Sequence, residues 1–420
     1  MAKKASKKAR KRVTKKAAKK PSSQKAPKKR TASGTRRKGI YTEYLDAQLD
    51  FKQLNEERKK QLARIARLRK RDVFVYAADA RKSQHAEVRV VYDDLVAIND
   101  QLSVLSNKSV DVILETTGGL AEVAEDFVKQ LRARFDRVGF IIPGQAKSAG
   151  TIMVMSGDEI LMEPASSLGP IDPQVTRQGK VFSAHAFLEG LERIKKEVDD
   201  TNKLNRAYIP ILQSISPGEI QACENAQNFS KSLVSKWLHR YKFNSWVTHS
   251  QTGKPVTKQE KAERATEIAN ALCDHSRWLT HGRSIKIEHL RDVRLMVIDY
   301  SEQKDLCEAI RRYHILLRMT FDGTSIYKVF ETPSSQIIRH VVVGQQPKKP
   351  TGGVCELEVE CNQCHSKTKI QANLGKKQPI KPDFIAFPTG NRFICPACGA
   401  EQPLDELRRN IEGQAKLPIV

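Results

Sequence analysis

Ser148 stands in the run Gln145-Ala146-Lys147-Ser148-Ala149-Gly150, after an apolar segment and before a stretch of small and apolar residues. A serine in that setting opens a buried helix, where unpaired N–H groups carry partial positive charge. Such a hydroxyl suits a nucleophile, and the Ala149 N–H behind it suits a developing oxyanion. A second oxyanion donor is available from Gly118-Gly119, which close the preceding apolar strand. Glycines there let a substrate backbone approach closely. A hydroxyl nucleophile also needs a base and a group to orient that base. Taken singly, S-A-G is a tight helix start, Gly-Gly is a turn, and Asp beside proline caps a turn. His281 taken alone is a surface or cap histidine, with His185, His239, His249, His275 and His289 as rivals. A lysine base is the other option for a serine nucleophile, although Lys195-Lys196-Glu197 reads as a solvated face. Lys147 adjoins Ser148, but adjacent side chains point apart.

A second constellation is cysteine. Cys361-Asn362-Gln363-Cys364 and Cys395-Pro396-Ala397-Cys398 are two C-x-x-C knuckles separated by thirty residues. Two knuckles make a four-thiolate, tetrahedral zinc site with no open position, and so a structural zinc. Redox chemistry at either knuckle is the alternative. Such a small module builds little core, so the metal supplies folding energy. His365, next to Cys364, reads as a bystander. Of eight cysteines, the other four (Cys223, Cys273, Cys307 and Cys355) show no pairing pattern.

The elements that must position Ser148 alternate in type. Val73–Ala77, Val110–Leu114, Val138–Ile142 and Ile160–Met162 read as strands. Residues 91–105, 121–135 and 149–156 read as helices between them, which predicts a parallel, layered α/β sheet. From 186 to 278 the pattern is mainly helical, with a loop at 250–255, and late strands are expected at 293–299 and 325–330. Residues 42–70 read as one basic amphipathic helix packed on the body. Short strands are expected at 357–359 and 392–394. The division is a tail at 1–40, a helix at 41–71, an enzymatic domain at 72–344, a linker at 345–353 and a zinc ribbon at 354–420.

Gly118-Gly119, Ser148-Ala149-Gly150, Gly157-Asp158-Glu159-Ile160 and the run Leu168 to Gln174 resemble the Clp protease proteolytic subunit and signal peptide peptidase A superfamily. Within it, the serine dehydrogenase proteinase family is most similar, over roughly residues 70–330. That name says nothing of dehydrogenase chemistry here. The resemblance implies a Clp/crotonase-like fold and a serine peptidase that works through an acyl-enzyme. Its triad would run Ser148, Asp172, His281 in chain order, with Gly118, Gly119 and Ala149 as the oxyanion hole. Asp172 falls about where Clp subunits carry their histidine. The family's late motif reads Thr-His-Asp, whereas Gly282-Arg283 follows His281 here, so Asp172 becomes the acid candidate. The resemblance also implies a polypeptide substrate and a self-assembling homo-oligomer. A catalytically inactive scaffold and a crotonase-type acyl-CoA enzyme are the other readings of the same fold. The serine at the helix start argues against the latter.

Charge is concentrated at one end. The 420 residues carry a net +25, and residues 1–40 hold 18 Lys and Arg with no acid. Without them the chain has 55 basic against 48 acidic residues. The tail has almost no large apolar side chain, which predicts a disordered polycation. Phosphate binding, as to nucleic acid, is its functional reading, and a solubilising tail is the bland one. Lys367, Lys369, Lys376, Lys377 and Lys381 extend the nucleic-acid reading to the ribbon. No apolar run approaches the ~18 residues of a membrane span. No apolar leader and no P-loop occur, so the expected setting is cytoplasmic and any unfoldase a separate chain.

Overall fold

The computed structural model describes residues 38–341 and 353–420, apart from 178 and 416. The expected disordered tail and the linker lie almost wholly outside the described residues. The chain divides into two units, Met1–Ala47 and Gln48–Val420. The described part of the first contains the helix Ile40–Ala47. Two helices therefore replace the single one expected over 42–70. Gln48 takes φ +47, which ends the first. Asp50 then starts the second, Phe51–Arg69, with a reciprocal capping box: its carboxylate accepts from Gln53 N at 2.8 Å, and Gln53 Oε1 accepts from Asp50 N at 2.9 Å.

The second unit is built on a seven-stranded sheet. Its order is Gln336–His340, Ile326–Glu331, Asp72–Ala78, Ser109–Glu115, Arg137–Ile142, Glu159–Met162, Ile298–Asp299. The five strands from Asp72–Ala78 onward run parallel, and the other two form an antiparallel edge. Strand periodicity sorts the side chains onto two faces. Phe74, Tyr76, Val112, Leu114, Phe140 and Ile160 enter one core, with helices Asp94–Ser103, Ala121–Arg134, Ala149–Val154, Pro217–Trp237 and Lys258–Cys273. Val73, Val75, Ile113, Ile141 and Leu161 enter the other, under Phe51–Arg69 and Lys304–Gly323. A buried arginine also ties the first of these helices to the second and to the strand Ile326–Glu331. Arg58 is fully buried, and its guanidinium donates to both Glu331 oxygens at 3.0 and 3.2 Å and to Thr320 Oγ1 at 2.6 Å.

Beyond the parallel strands, a short second ladder crosses their ends. Gln145–Ala146 pairs with Ser167–Leu168, Ala146 bridges to Thr116, and Leu168 bridges to Ile285. Three loops are thereby laid side by side: the Gly118 loop, the Ser148 turn and the segment leading from Leu168 to Asp172. The hairpin Gln174–Arg177 with Lys180–Ser183 follows Asp172 directly. The sequence pattern predicts no strands over 174–183. Gly179, at φ +75, marks its turn, and Val175 and Phe182 are cross-strand partners.

The C-terminal residues form a hairpin, Val354–Glu360 with Lys367–Asn373, a shorter one, Arg392–Ile394 with Glu401–Pro403, and a helix, Asp405–Ala415. They have their own core of Val359, Ile370, Leu374, Phe387, Phe393, Leu404 and Ile419, with Cys361 and Cys395 inside it. This core is larger than the sequence reading allowed, because the last helix and Ile419 close over the hairpins.

Candidate active site and metal centre

Ser148 sits in a strained turn. Its φ of +50° and ψ of −119° are the first central position of a type II′ turn, a place usually held by glycine. The Gly150 N–H donates to the Lys147 carbonyl at 2.8 Å and closes that turn. Such a conformation costs of order 1–3 kcal/mol and persists only where its surroundings enforce it. Thr151 enforces it: its hydroxyl contacts the Ala146 and Gly169 carbonyls at 2.8 and 2.9 Å and accepts the Gly169 N–H at 2.9 Å. The Ser148 hydroxyl makes no helix-capping bond.

Gly118 lies against this turn. A Cβ at Gly118 would come within 2.6 Å of Ser148 Cβ and 3.2 Å of Ala149 N, and its φ is +101°. Only glycine fits. Gly119 is equally confined, because a Cβ there would lie 2.4 Å from Val90 N. The Gly118 carbonyl is turned away, accepting from Val90 N at 2.8 Å. Among the described residues neither the Gly119 N–H nor the Ala149 N–H donates to another backbone group. Two donors are thus free beside Ser148.

Asp172 is fully buried and precedes Pro173, which favours an extended backbone. His281 Nδ1 lies 2.7 Å from its Oδ1, and His275 Nδ1 lies 3.0 Å from its Oδ2. Gln174 Nε2 donates to Oδ2 at 3.1 Å. Ser183, which caps the helix Ala184–Thr201, also bonds the carboxylate. Burial pushes the acid's pKa up, but the bonds from His281, His275 and Ser183 and the His281 charge outweigh it and hold Asp172 below the usual carboxylate range.

One histidine opens a short helix, His275–Trp278, capped by Asp274, and the other follows it. Trp278 is buried and donates its Nε1–H to the Ala271 carbonyl at 2.7 Å, which anchors that helix. Leu279, at φ +65°, then turns the chain toward His281. Two residues past His281 the loop meets the turn that carries Ser148. Lys147 Nζ donates to Leu168 O at 2.9 Å, Ser284 Oγ at 3.1 Å and Arg283 O at 3.2 Å. Burial, with Lys286 nearby, pushes its pKa down to about 8. Lys147 is therefore a tie between the Ser148 turn and the His281 loop, a use that adjacency in sequence did not suggest. The structure joins Asp172 to His281 and His275; among the described residues no hydrogen bond joins His281 to Ser148. Lys195 and Lys196 are exposed on helix Ala184–Thr201, and Lys195 pairs with Glu192 at 3.6 Å. His249 and His289 have other partners, Glu260 and Lys286 N.

A hydroxyl in a strained turn, two free N–H groups and a buried carboxylate on a histidine belong to hydrolytic chemistry. Residues 40–241 match the family of ClpP-like, SDH-type serine proteinases. This proteinase match contains Gly118, Gly119, Ser148 and Asp172 and ends before His275 and His281. The layered sheet is the Clp/crotonase-like fold read from the sequence. Two uncharacterised proteins of Methanocaldococcus jannaschii are similar. One is 25% identical over 243 residues, covering 53% of this chain and 76% of that protein. The other is 28% identical over 137 residues, covering 31% of this chain and 47% of that protein. Among solved structures, two variants of the 1510-N membrane-bound stomatin-specific protease align at TM-score 0.28. They are 15% and 16% identical, covering 51% and 59% of this chain and 78% of each of theirs. An enoyl-CoA hydratase from Polaromonas sp. JS666 aligns at TM-score 0.18 and 12% identity, covering 47% of this chain and 91% of its own. Among the described residues no helix is long and apolar enough to cross a membrane.

The four knuckle thiols converge: the sulfurs of Cys361, Cys364, Cys395 and Cys398 all lie within 4.8 Å of one another. Cys361–Cys398 and Cys364–Cys395 are each 3.6 Å apart, too long for a disulfide of ~2.05 Å. That separation fits the edge of a tetrahedron with bonds of ~2.3 Å, the zinc–thiolate length. The knuckles repeat each other. His365 N donates to Cys361 O and Gly399 N to Cys395 O, and both residues take positive φ, 56° and 73°. His365 Nδ1 bonds Glu360 at 3.0 Å, away from the thiols. The donor set thus fits a structural zinc.

Proposed function

We propose that Ser148 is the nucleophile of a serine peptidase, with His281 as base and Asp172 as the group that orients it. The hydrogen bond between buried Asp172 and His281, on a loop tied through Lys147 to the Ser148 turn, carries this reading. His281 takes the Ser148 proton as the hydroxyl attacks the scissile carbonyl, and an acyl-enzyme forms. Asp172 fixes the tautomer with Nδ1 protonated and stabilises the imidazolium. The Gly119 and Ala149 N–H groups, with Gly118 leaving room, receive the oxyanion. His281 then protonates the leaving amine, and water completes the cycle. Residues 72–344 form the peptidase domain, and residues 354–420 a ribbon in which Cys361, Cys364, Cys395 and Cys398 hold zinc. The tail and ribbon recruit nucleic acid or a protein partner. The tail is the stronger candidate for the former, because Lys367 and Lys381 of the ribbon pair with Glu358 and Glu356. Hydrolysis of an unstructured polypeptide by purified variants tests the site. Ser148→Ala and His281→Ala should each lose of order 10⁴-fold or more in kcat, and Asp172→Asn less. Retention of activity in His281→Ala with its loss in Lys195→Ala or Lys196→Ala would make this a Ser–Lys enzyme.

A further inference from the structure

Asp172 has a second imidazole that the proposed triad does not use. Because it is held as a carboxylate, it can only accept hydrogen bonds. Both Nδ1 atoms at 2.7 and 3.0 Å must therefore be donors. His281 and His275 each keep about a quarter of the side chain exposed, so each can take a second proton at Nε2. One buried carboxylate thus holds two imidazoles, each partly exposed.

Building on the proposed triad, we propose that His275 is a positioning residue that shares Asp172 with His281 and attenuates the His281 base when it is protonated. Neutral His275 fills Oδ2, fixes the carboxylate plane and leaves Oδ1 for His281. Protonated His275 neutralises the carboxylate. An imidazolium formed at His281 during attack then lacks its counter-charge, and the two titrations become coupled. His281 rather than His275 is assigned as the base, because its loop is the one that reaches Lys147. The His275 helix is tied the other way, through Ser276 Oγ to Glu189 at 3.1 Å. Charged and titratable neighbours on this side are Asp274 and Arg277 on the same helix, Glu189 and His185 on Ala184–Thr201, and Cys273 and Lys231. A variant at position 275 leaves all of them in place.

His275→Asn keeps a donor at the Nδ1 position and removes the charge; His275→Ala removes both. Two readouts are taken on the full-length protein. One is the rate of fluorophosphonate labelling against pH, with folding followed by circular dichroism. The other is the imidazole titration by ¹⁵N NMR, assigned by the loss of signals in His275→Asn and His281→Asn. The wild-type acid limb should steepen to about a hundredfold per pH unit, because two protonations each disable the base. His275→Asn should show about tenfold per unit, and its His281 midpoint should rise by roughly half a unit or more. At pH 8 His275→Asn should label about tenfold faster than His275→Ala. An unchanged His281 midpoint together with an unchanged slope overturns the proposal. If the wild type does not label at all, the nucleophile reading fails, and the NMR midpoints still decide whether the two imidazoles share Asp172.

Discussion

At the scale of single residues, the site depends on side chains held in costly states. Ser148 occupies a glycine-like conformation, and Lys147 gives up part of its hydration to tie two loops together. The lysine has a consequence for stability. Its folded pKa, about 8, lies below the ordinary value of 10.5. Between those values the unfolded chain binds more protons, so stability rises with pH across that window; below pH 8 both states are protonated and the native state bears the burial cost. Lys147→Met should lack this rise. Urea midpoints at pH 7.5 and 10 should therefore draw apart less in Lys147→Met than in the wild type. Equal pH responses in the two proteins would remove the desolvation argument. Asp172 and His281 stand in runs that resemble family motifs, and that resemblance singles them out. His275 stands in no such run and could be named only as a rival; its partner, 103 positions away, leaves no local mark.

At the scale of elements, the parallel strands and their helices were legible because each buries a periodic apolar face. The break at Gln48 was not, since helical spacing runs on through it while the capping signal of Asp50 and Gln53 is polar and easily outweighed. The Gln174–Ser183 hairpin was lost to the helical pattern that follows it, although Gly179 between Val175 and Val181 gave a turn signal. The zinc knuckles were legible from spacing alone; the core beneath them was not, because Phe387, Leu404 and Ile419 come from separate segments. Cys361 lies inside that core and Cys398 is exposed. One zinc per chain is expected on metal analysis. Cys361→Ser should abolish zinc binding and melt the ribbon, with Cys398→Ser milder, while the helical signal of the peptidase domain persists. Zinc-free protein purified without chelators would contradict the site.

At the scale of the whole molecule, two expectations follow from composition and from the family match. The tail should make binding to duplex DNA fall steeply with salt, and deleting residues 1–40 should remove most of that slope. An undiminished slope in the truncated protein would locate the contact elsewhere. The peptidase domain should self-associate, giving by light scattering a mass several times that of one chain. A monomer at micromolar concentration would count against assembly.

The central claim is that Ser148 is an activated nucleophile. Intact-mass measurement after incubation with a fluorophosphonate tests it most directly. The account predicts one adduct per chain, mapped by peptide sequencing to Ser148, absent in Ser148→Ala and slowed in His281→Ala. An unlabelled wild-type protein, or an adduct that survives Ser148→Ala, would contradict it.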